Sequence, residues 1–567
     1  MKKLPILILA VIAIAAGAAT RSPKNDISRN LDIFNAVYKN LQTNYVDSID
    51  ADKSINTAIY AMLNEIDPYT EYIPEQDQEE FMTISTGVYG GIGAYIQERD
   101  GEVRVTEPRE GTPSFKAGLR PGDVFITIDG DSVKGLHSAD VSKKLRGQAG
   151  TTVSMSVRRP FGSKSHGDTV LNFSFLREKI DVDPVPYYGV VRGDLGYIQL
   201  TTFNGKSYDQ VRDALLDFRK DPRVKGIVLD LRDNGGGLLE SAVKIVGLFV
   251  PKGTEVVRTR GKGQVNERIY KTTDKPIEPD IPLAVLVNGN SASASEIVTG
   301  ALQDLDRAVI IGNRSFGKGL VQSTRQLPYN GLLKVTIAKY YIPSGRLIQA
   351  IDYSHRNPDG TVARIPDSLT TVWHTKAGRE VRDGGGITPD VTVTYPEGNR
   401  LVYNIIRDGW NFDFATRYSA LNPAPAPLEE FEITDTIFAQ FKQFIDPKKF
   451  KYDRACEVVL DQLQKSAETE GYLNDSVQAQ IDVIRKMLHH DLEHDLNLNR
   501  EMITSYLGPE LAMRYYGEKG SVLQTLKNDR ELDSAAVVLS DPARYKAILS
   551  PKAKTDKDAK TDAKAGK

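Results

Sequence analysis

A chain of 567 residues is too long for one compact domain and is expected to hold three or four. Its hydrophobic fraction of 40% and charged fraction of 26% are ordinary, and a net charge of −2 excludes a general electrostatic partner such as nucleic acid or an anionic membrane surface. The lone Cys456 excludes an intrachain disulfide and a cysteine-rich metal site.

Lys2-Lys3 precede an apolar run from Leu4 to Ala16, and Ala16-Gly17-Ala18 suits cleavage beside small residues, so residues 1–20 read as a signal peptide. The run falls short of the roughly 20 residues of a membrane span; an uncleaved membrane anchor is the alternative. No cysteine follows it, which removes a lipoprotein anchor. The mature protein is therefore expected outside the cytoplasm, in the periplasm or cell envelope.

Residues 21–84 read as a helical region. Leu31, Phe34, Val37, Tyr38 and Leu41 recur at three- and four-residue steps, and a second helix carries Ile55, Ile59, Met62, Leu63 and Ile66 before Asp67-Pro68 stops it. Such helices pack against each other or at an oligomer contact.

Residues 85–178 change character. Gly90-Gly91-Ile92-Gly93 opens an alternating stretch, and Ala117-Gly-Leu-Arg-Pro-Gly-Asp123 leads into Val124-Phe-Ile-Thr-Ile-Asp-Gly130. With this pair of motifs the region resembles a PDZ domain. The resemblance implies that Gly91, Ile92, Gly93 and Ala94 offer backbone N–H groups to a peptide's C-terminal carboxylate, the peptide adding as a strand to the sheet edge.

From 179 to 396 strands alternate with helices. Gly196–Leu200 and Gly226–Leu231 read as strands, Tyr208–Arg219 and Leu238–Val250 as helices, and Leu283–Val287 as a buried strand. This repetition implies an α/β layer fold with its site at the strand ends. After Pro396 strand signals fade. Asn422–Leu428, rich in Pro and Ala, reads as a linker; residues 397–550 form a C-terminal helical domain, and 551–567 a disordered Lys/Ala/Asp/Thr tail.

The chemistry is expected between Leu283 and Gln322. Ser291, Ser293 and Ser295 alternate with alanines where a strand turns into a helix, and Lys318 lies in a glycine-punctuated loop 318 − 293 = 25 residues beyond the middle serine. A serine hydroxyl is a poor nucleophile until a base takes its proton, and lysine is that base only when neutral. Its free pKa is about 10.4, which burial in a dry loop lowers by up to about 3–5 units. Two plainer readings compete. Ser293 with Glu296 fits a capping box, in which the hydroxyl only satisfies a helix N–H. Gly312-Asn-Arg-Ser-Phe-Gly-Lys318 nearly matches a phosphate-binding loop, but Gly319 stands where the metal-binding hydroxyl belongs and the following residues look extended. A third element favours acyl transfer: Asn234-Gly235-Gly236-Gly237 ends a buried strand and brings bare backbone close, as an oxyanion site requires.

Asp230-Leu-Arg-Asp-Asn-Gly-Gly-Gly237, Ser291-Ala-Ser-Ala-Ser-Glu296, Phe316-Gly-Lys-Gly319 with Gln322, and Tyr341-Ile-Pro-Ser-Gly345 together resemble the C-terminal processing (tail-specific) serine peptidases. The likeness runs roughly from Leu31 to Val393, PDZ region first. It implies Ser293 as nucleophile, which spacing alone does not select, Lys318 as general base, Gln322 orienting the lysine, and oxyanion donors from Gly236 or Gly237 and from Ala294. It also implies the architecture: a multidomain α/β protein with N-terminal helices, a β-barrel-like PDZ domain, a layered α/β core of the crotonase/ClpP-like type over 179–396, and C-terminal helices. No cofactor is expected. Expected partners are protein or peptide substrates with free C-termini, with a homodimer and an adaptor protein as candidates for the helical ends. The alternative functions are a catalytically silent PDZ scaffold in the cell envelope and, against the export signal, a crotonase-type thioester enzyme.

One rival motif, His490-Asp-Leu-Glu493-His494, spells the H-x-x-E-H of some zinc peptidases. On one continuous helix, the apolar stripe Val477, Ile481, Ile484, Leu488, Leu492 and Leu496 turns His490 to solvent, and no metal is expected.

Overall fold

The computed structural model describes residues 23–161, 167–264, 267–357, 361–395, 398–423, 425–452, 454–488 and 491–551. The expected signal peptide, the tail beyond residue 551 and His490 lie outside the described residues. No helix among the described residues is long and apolar enough to cross a membrane.

The chain divides into two units, of which the smaller holds residues up to Pro74 together with Thr324–Val335. In it, helix Pro23–Asn44 is followed by helix Ala51–Asn64, whose N-terminus Asp50 caps by accepting the Lys53 N–H at 3.0 Å. Strand Glu71–Ile73 pairs antiparallel with Leu332–Lys334, and Lys334 meets Glu71 at 3.1 Å. Leu31, Phe34, Val37 and Leu41, which the periodicity puts on one stripe, are all exposed.

The larger unit begins with the PDZ region. Strands Ala94–Arg99, Glu102–Pro108, Val124–Ile128, Thr152–Arg159 and Thr169–Leu176 pair in that order, and helix Ser138–Leu145 packs beside the first. Val103, Val105, Phe125, Val141, Val153 and Val157 alternate inward to form its own core. Ala94–Arg99 stands at the edge of the sheet, with one side open to another strand.

The core is a six-stranded sheet ordered β1 (Tyr187–Val191), β2 (Leu195–Gln199), β3 (Gly226–Asp230), β4 (Leu283–Val287), β5 (Val309–Gly312) and β6 (Val391–Thr392). Only the β1–β2 pairing is antiparallel. Leu283-Ala-Val-Leu-Val287 is apolar throughout because both faces of β4 are covered. On one face lie helices α1 (Ser207–Lys220), α2 (Leu239–Val246) and α3 (Ala294–Asp304). α1 buries only Val211, Ala214, Leu215 and Phe218 from its stripe, whereas every residue of α3 is buried. α2 ends at Val246, short of the Val250 that its apolar run suggests.

The opposite face is covered from the far end of the chain. Helix α4 (Arg530–Leu539) lays Leu532, Ala535, Val538 and Leu539 against Tyr197, Val228, Ala284 and Leu286. The other C-terminal helices form a separate apolar cluster around Phe414, Phe438, Phe441, Leu507 and Leu511. The continuous helix expected through His490 is broken: helix Asp475–Leu488 ends, and Asp491 starts another, Leu492–Leu498, by accepting the His494 N–H at 2.7 Å. The short acidic side chain makes a better helix start than a helix interior, so Glu493 and His494 stand on a different helix from Leu488.

Candidate active site

β3, β4 and β5 run parallel side by side, with Asp230 opposite Leu286 and Val287 opposite Gly312. Their carboxyl ends therefore release three loops at one rim of the sheet, where α/β folds build their sites.

The first loop carries Asn234-Gly235-Gly236-Gly237. Asn234 is fully buried and pins the turn: its Nδ2 donates to the Leu200 carbonyl at 2.7 Å, its Oδ1 accepts the Gly236 N–H at 2.9 Å, and its carbonyl accepts the Ala292 N–H at 3.0 Å. Gly236 has φ +103°, and a β-carbon there would lie 2.9 Å from the Ser293 Cβ and 2.8 Å from the Ala292 carbonyl. Only glycine lets the two turns approach this closely. Of the two glycines left open by the sequence, Gly236 has its N–H occupied by Asn234. The N–H groups of Gly237 and Ala294 make no hydrogen bond among the described residues.

The second loop separates the three serines. Ser291 and Ser295 are fully buried and bonded, the first to the Leu231 carbonyl at 2.8 Å and the second to the Asn234 carbonyl at 2.7 Å. Ser293 alone is partly exposed. It sits at φ 57°, ψ −112°, a region that residues with a β-carbon rarely occupy. A helix cap does not require such a backbone, whereas a sharp strand-to-helix turn that lifts a hydroxyl to the surface does.

The third loop carries Lys318, partly buried between Gly317 and Gly319, which are buried. Gly317 has φ +92°, and a β-carbon would meet the Ala350 Cβ at 2.3 Å. Every backbone group of the three residues is bonded. Gly317 and Lys318 donate to Glu296 at 2.7 and 2.8 Å, and Gly319 donates to Gln349 Oε1 at 2.6 Å. The Gly317 carbonyl accepts the Ala350 N–H at 2.9 Å, the Lys318 carbonyl the Tyr340 hydroxyl at 2.7 Å, and the Gly319 carbonyl the Tyr340 N–H at 3.0 Å.

Glu296 joins the second and third loops. Its side chain is fully buried, yet Oε2 accepts the N–H of Ser293 at 2.9 Å as well as that of Lys318. Oε1 takes the Ser315 hydroxyl at 2.5 Å and the Gly317 N–H. Burial pushes its carboxyl up to about 7 against the pull of these four donors. The expected capping box of Ser293 and Glu296 is thus present, and the same carboxylate reaches 22 residues further to the lysine loop. Ser293 followed at three residues by Glu296 was the signal for this residue; Tyr340 and Asn234 carry none that periodicity reveals. Gln322 lies on strand Leu320–Gln326, where its amide donates to Thr336 Oγ1 at 3.1 Å. Among the described residues no group of His, Cys, Asp and Glu is arranged to hold a metal ion.

In the PDZ region Ile92 and Gly93 form the loop between strands Val88–Gly91 and Ala94–Arg99. The Gly93 carbonyl is held from behind by the Ser114 hydroxyl at 2.9 Å and the Arg109 N–H at 2.9 Å. A cavity of about 300 Å³ opens in front, lined by Ile92, Gly93, Ala94, Ile96, Leu145 and Arg146 among others. Gly91 instead pairs with Glu178 in the strand that joins this region to the core.

Sequence comparisons agree with this layout. The profile of Peptidase family S41 matches residues 194–362, a PDZ domain profile 90–174, and that of a "Probable PDZ-protease, C-terminal helical domain" 401–539. The "Carboxy-terminal-processing protease" of Bartonella bacilliformis is 37% identical over 349 residues, 61% of this chain and 79% of that one. The "Probable CtpA-like serine protease" of Staphylococcus aureus (strain COL) is 38% identical over 349 residues, 60% of this chain and 68% of its own. A solved photosystem II D1 C-terminal processing protease is 30% identical, covering 64% of this chain and 86% of that one, with a TM-score of 0.36. With its PDZ region, peptidase core and helical end in this order, the chain belongs to the carboxy-terminal-processing serine peptidases of family S41.

Proposed function

We propose that the protein is an exported endopeptidase that captures substrates by their free C-termini in its PDZ domain and cuts them with a Ser293–Lys318 dyad. The observation that carries this reading is the strained Ser293 turn, bonded through one carboxylate oxygen to the Lys318 loop. The PDZ step is supported by the open edge of Ala94–Arg99 and the adjoining cavity at Ile92-Gly93-Ala94.

In the cutting step neutral Lys318 Nζ takes the Ser293 Oγ proton as Oγ bonds to the scissile carbonyl carbon. The oxyanion receives the N–H groups of Gly237 and Ala294, which are not otherwise engaged. Collapse breaks the C–N bond, and the ammonium of Lys318 protonates the departing amine. Water then attacks the acyl-enzyme and gives its proton to Lys318, which restores the hydroxyl. Gln322 orients the lysine from the adjoining strand in this scheme. The basic and apolar N-terminal segment, residues 1–20, directs export to the periplasm or cell envelope.

Ser293→Ala and Lys318→Ala are each expected to abolish cleavage of a quenched fluorogenic peptide with a free C-terminus. Both variants should bind that peptide as tightly as the parent protein. Full-rate cleavage by Ser293→Ala would falsify the assignment. A silent scaffold would bind the peptide but neither cleave it nor take a fluorophosphonate label.

A further inference from the structure

The dyad's two backbones are held by the same two side chains. Glu296 Oε2 accepts the N–H of Ser293 at 2.9 Å and of Lys318 at 2.8 Å. The Tyr340 hydroxyl lies 3.1 Å from the Ser293 carbonyl oxygen and 2.7 Å from that of Lys318, in position to donate to either. Neither side chain is exposed: Glu296 is wholly buried and Tyr340 is 1% exposed. Neither has a route to substrate. The two side chains come from places unrelated in sequence, α3 for the carboxylate and strand Leu332–Tyr341 for the phenol.

From this geometry we propose that Glu296 and Tyr340 are positioning residues of the peptidase reaction, a paired clamp that fixes the separation of Ser293 from Lys318. The inference rests on the Ser293–Lys318 reading given above. A carboxylate offers about four acceptor positions and no donor. Here all four are occupied, by Ser293 and Lys318 N–H on one oxygen and by Gly317 N–H and Ser315 O–H on the other. The nucleophile and base therefore cannot drift apart without giving up a buried hydrogen bond. Glutamine in place of Glu296 turns an NH₂ group towards one of these donor pairs and must open that side.

The test compares the full-length parent, Tyr340→Phe, Glu296→Gln, their double variant and Ser293→Ala on a quenched fluorogenic peptide with a free C-terminus. Sites are counted by fluorophosphonate labelling. Tyr340→Phe is expected to lower kcat per labelled site about tenfold, and Glu296→Gln about a hundredfold, with KM within about twofold of the parent. The double variant should fall less than the product of the singles, because the two act on one separation. A purely structural role would instead reduce the number of labelled sites and leave kcat per site unchanged, which would overturn the proposal. So would a Tyr340→Phe protein with kcat per site within about twofold of the parent while Ser293→Ala is dead. If Glu296→Gln fails to fold, Tyr340→Phe decides alone. An active Ser293→Ala protein would remove the dyad reading itself, a separate outcome.

Discussion

Lys318 is flanked by glycines because the loop threads between backbones that leave no room for a side chain. At Gly317 the crowding partner is the Ala350 Cβ, 2.3 Å from where a methyl would go, at φ +92°. Gly317→Ala is expected to cost about 3 kcal/mol of stability in urea unfolding and to displace the lysine enough to remove most activity. Glu296 gives a pH signature. Its folded carboxyl is pushed by burial from 4.5 up to about 7, so below that pH the folded state keeps a proton that the unfolded chain releases, the four-donor arrangement being that of the ionised form. The contribution is therefore fully present below about pH 4.5 and is lost as pH rises towards 7, on the order of 3 kcal/mol in all. Glu107, raised to about 7 first by burial and then by Glu518, adds a slope of the same sign. The measurement is accordingly the difference in unfolding free energy between the parent and Glu296→Gln at pH 5 and pH 7.5. Equal slopes in the two proteins would contradict the assignment to Glu296. These residues also mark the reach of sequence reasoning. Three alternating serines are equivalent in spacing; the family motif selects Ser293, and in the structure burial and bonding set Ser291 and Ser295 apart from it. Glu296 was legible as a helix cap, but its bonds to Gly317 and Lys318 depend on how two loops meet, which no local pattern encodes.

Among the elements, the core strands were the most legible, for a physical reason. β4 is five apolar residues between turn formers, and both its boundaries match the expected run. Where a boundary moved, packing decided it. The apolar run after α2 continues as Leu248-Phe249-Val250, but the helix stops at Val246 and these residues are buried in non-helical backbone. Helix Asp475–Leu488 and its successor read as one because their apolar stripes are in phase; the capping preference of Asp491 overrode that phase. The glycine turn after β3 was legible as bare backbone. Its rigidity was not, because it comes from the Asn234 side chain bonding across to Leu200.

For the larger unit as a whole, the covering of the sheet's second face by α4 was the feature hardest to foresee, since a helix 530–539 carries no mark of a partner three hundred residues earlier. The junction is also ionic. Arg232, at the start of the glycine-rich loop after β3, contacts Asp230 and Asp529 at 2.6 Å each and Glu531 at 3.3 Å, and Tyr395 bonds to Glu531. The three carboxylate side chains are at most 4% exposed. Arg232→Ala would leave them buried around a vanished cation, an expected loss of about 3–5 kcal/mol in urea unfolding. A loss below about 1 kcal/mol would mean that the cluster is screened by water and contributes little. The PDZ region is tied to the same helical end, through Arg99 bonded to Asp413 and Thr416 packed on Gly122.

The Tyr545 hydroxyl accepts the N–H of Leu283, 262 residues earlier, and α4 closes the sheet just before it. At about 5–20 residues per second a ribosome delivers those partners tens of seconds apart: strands, serine and lysine first, their cover last. Until residues 530–548 arrive, the half-built sheet shows a bare apolar face and has little to hold its loops in register. Competence to cut is thus deferred until residues 530–548 have been made, and a chain interrupted before them is expected to be inert debris rather than an unrestrained protease.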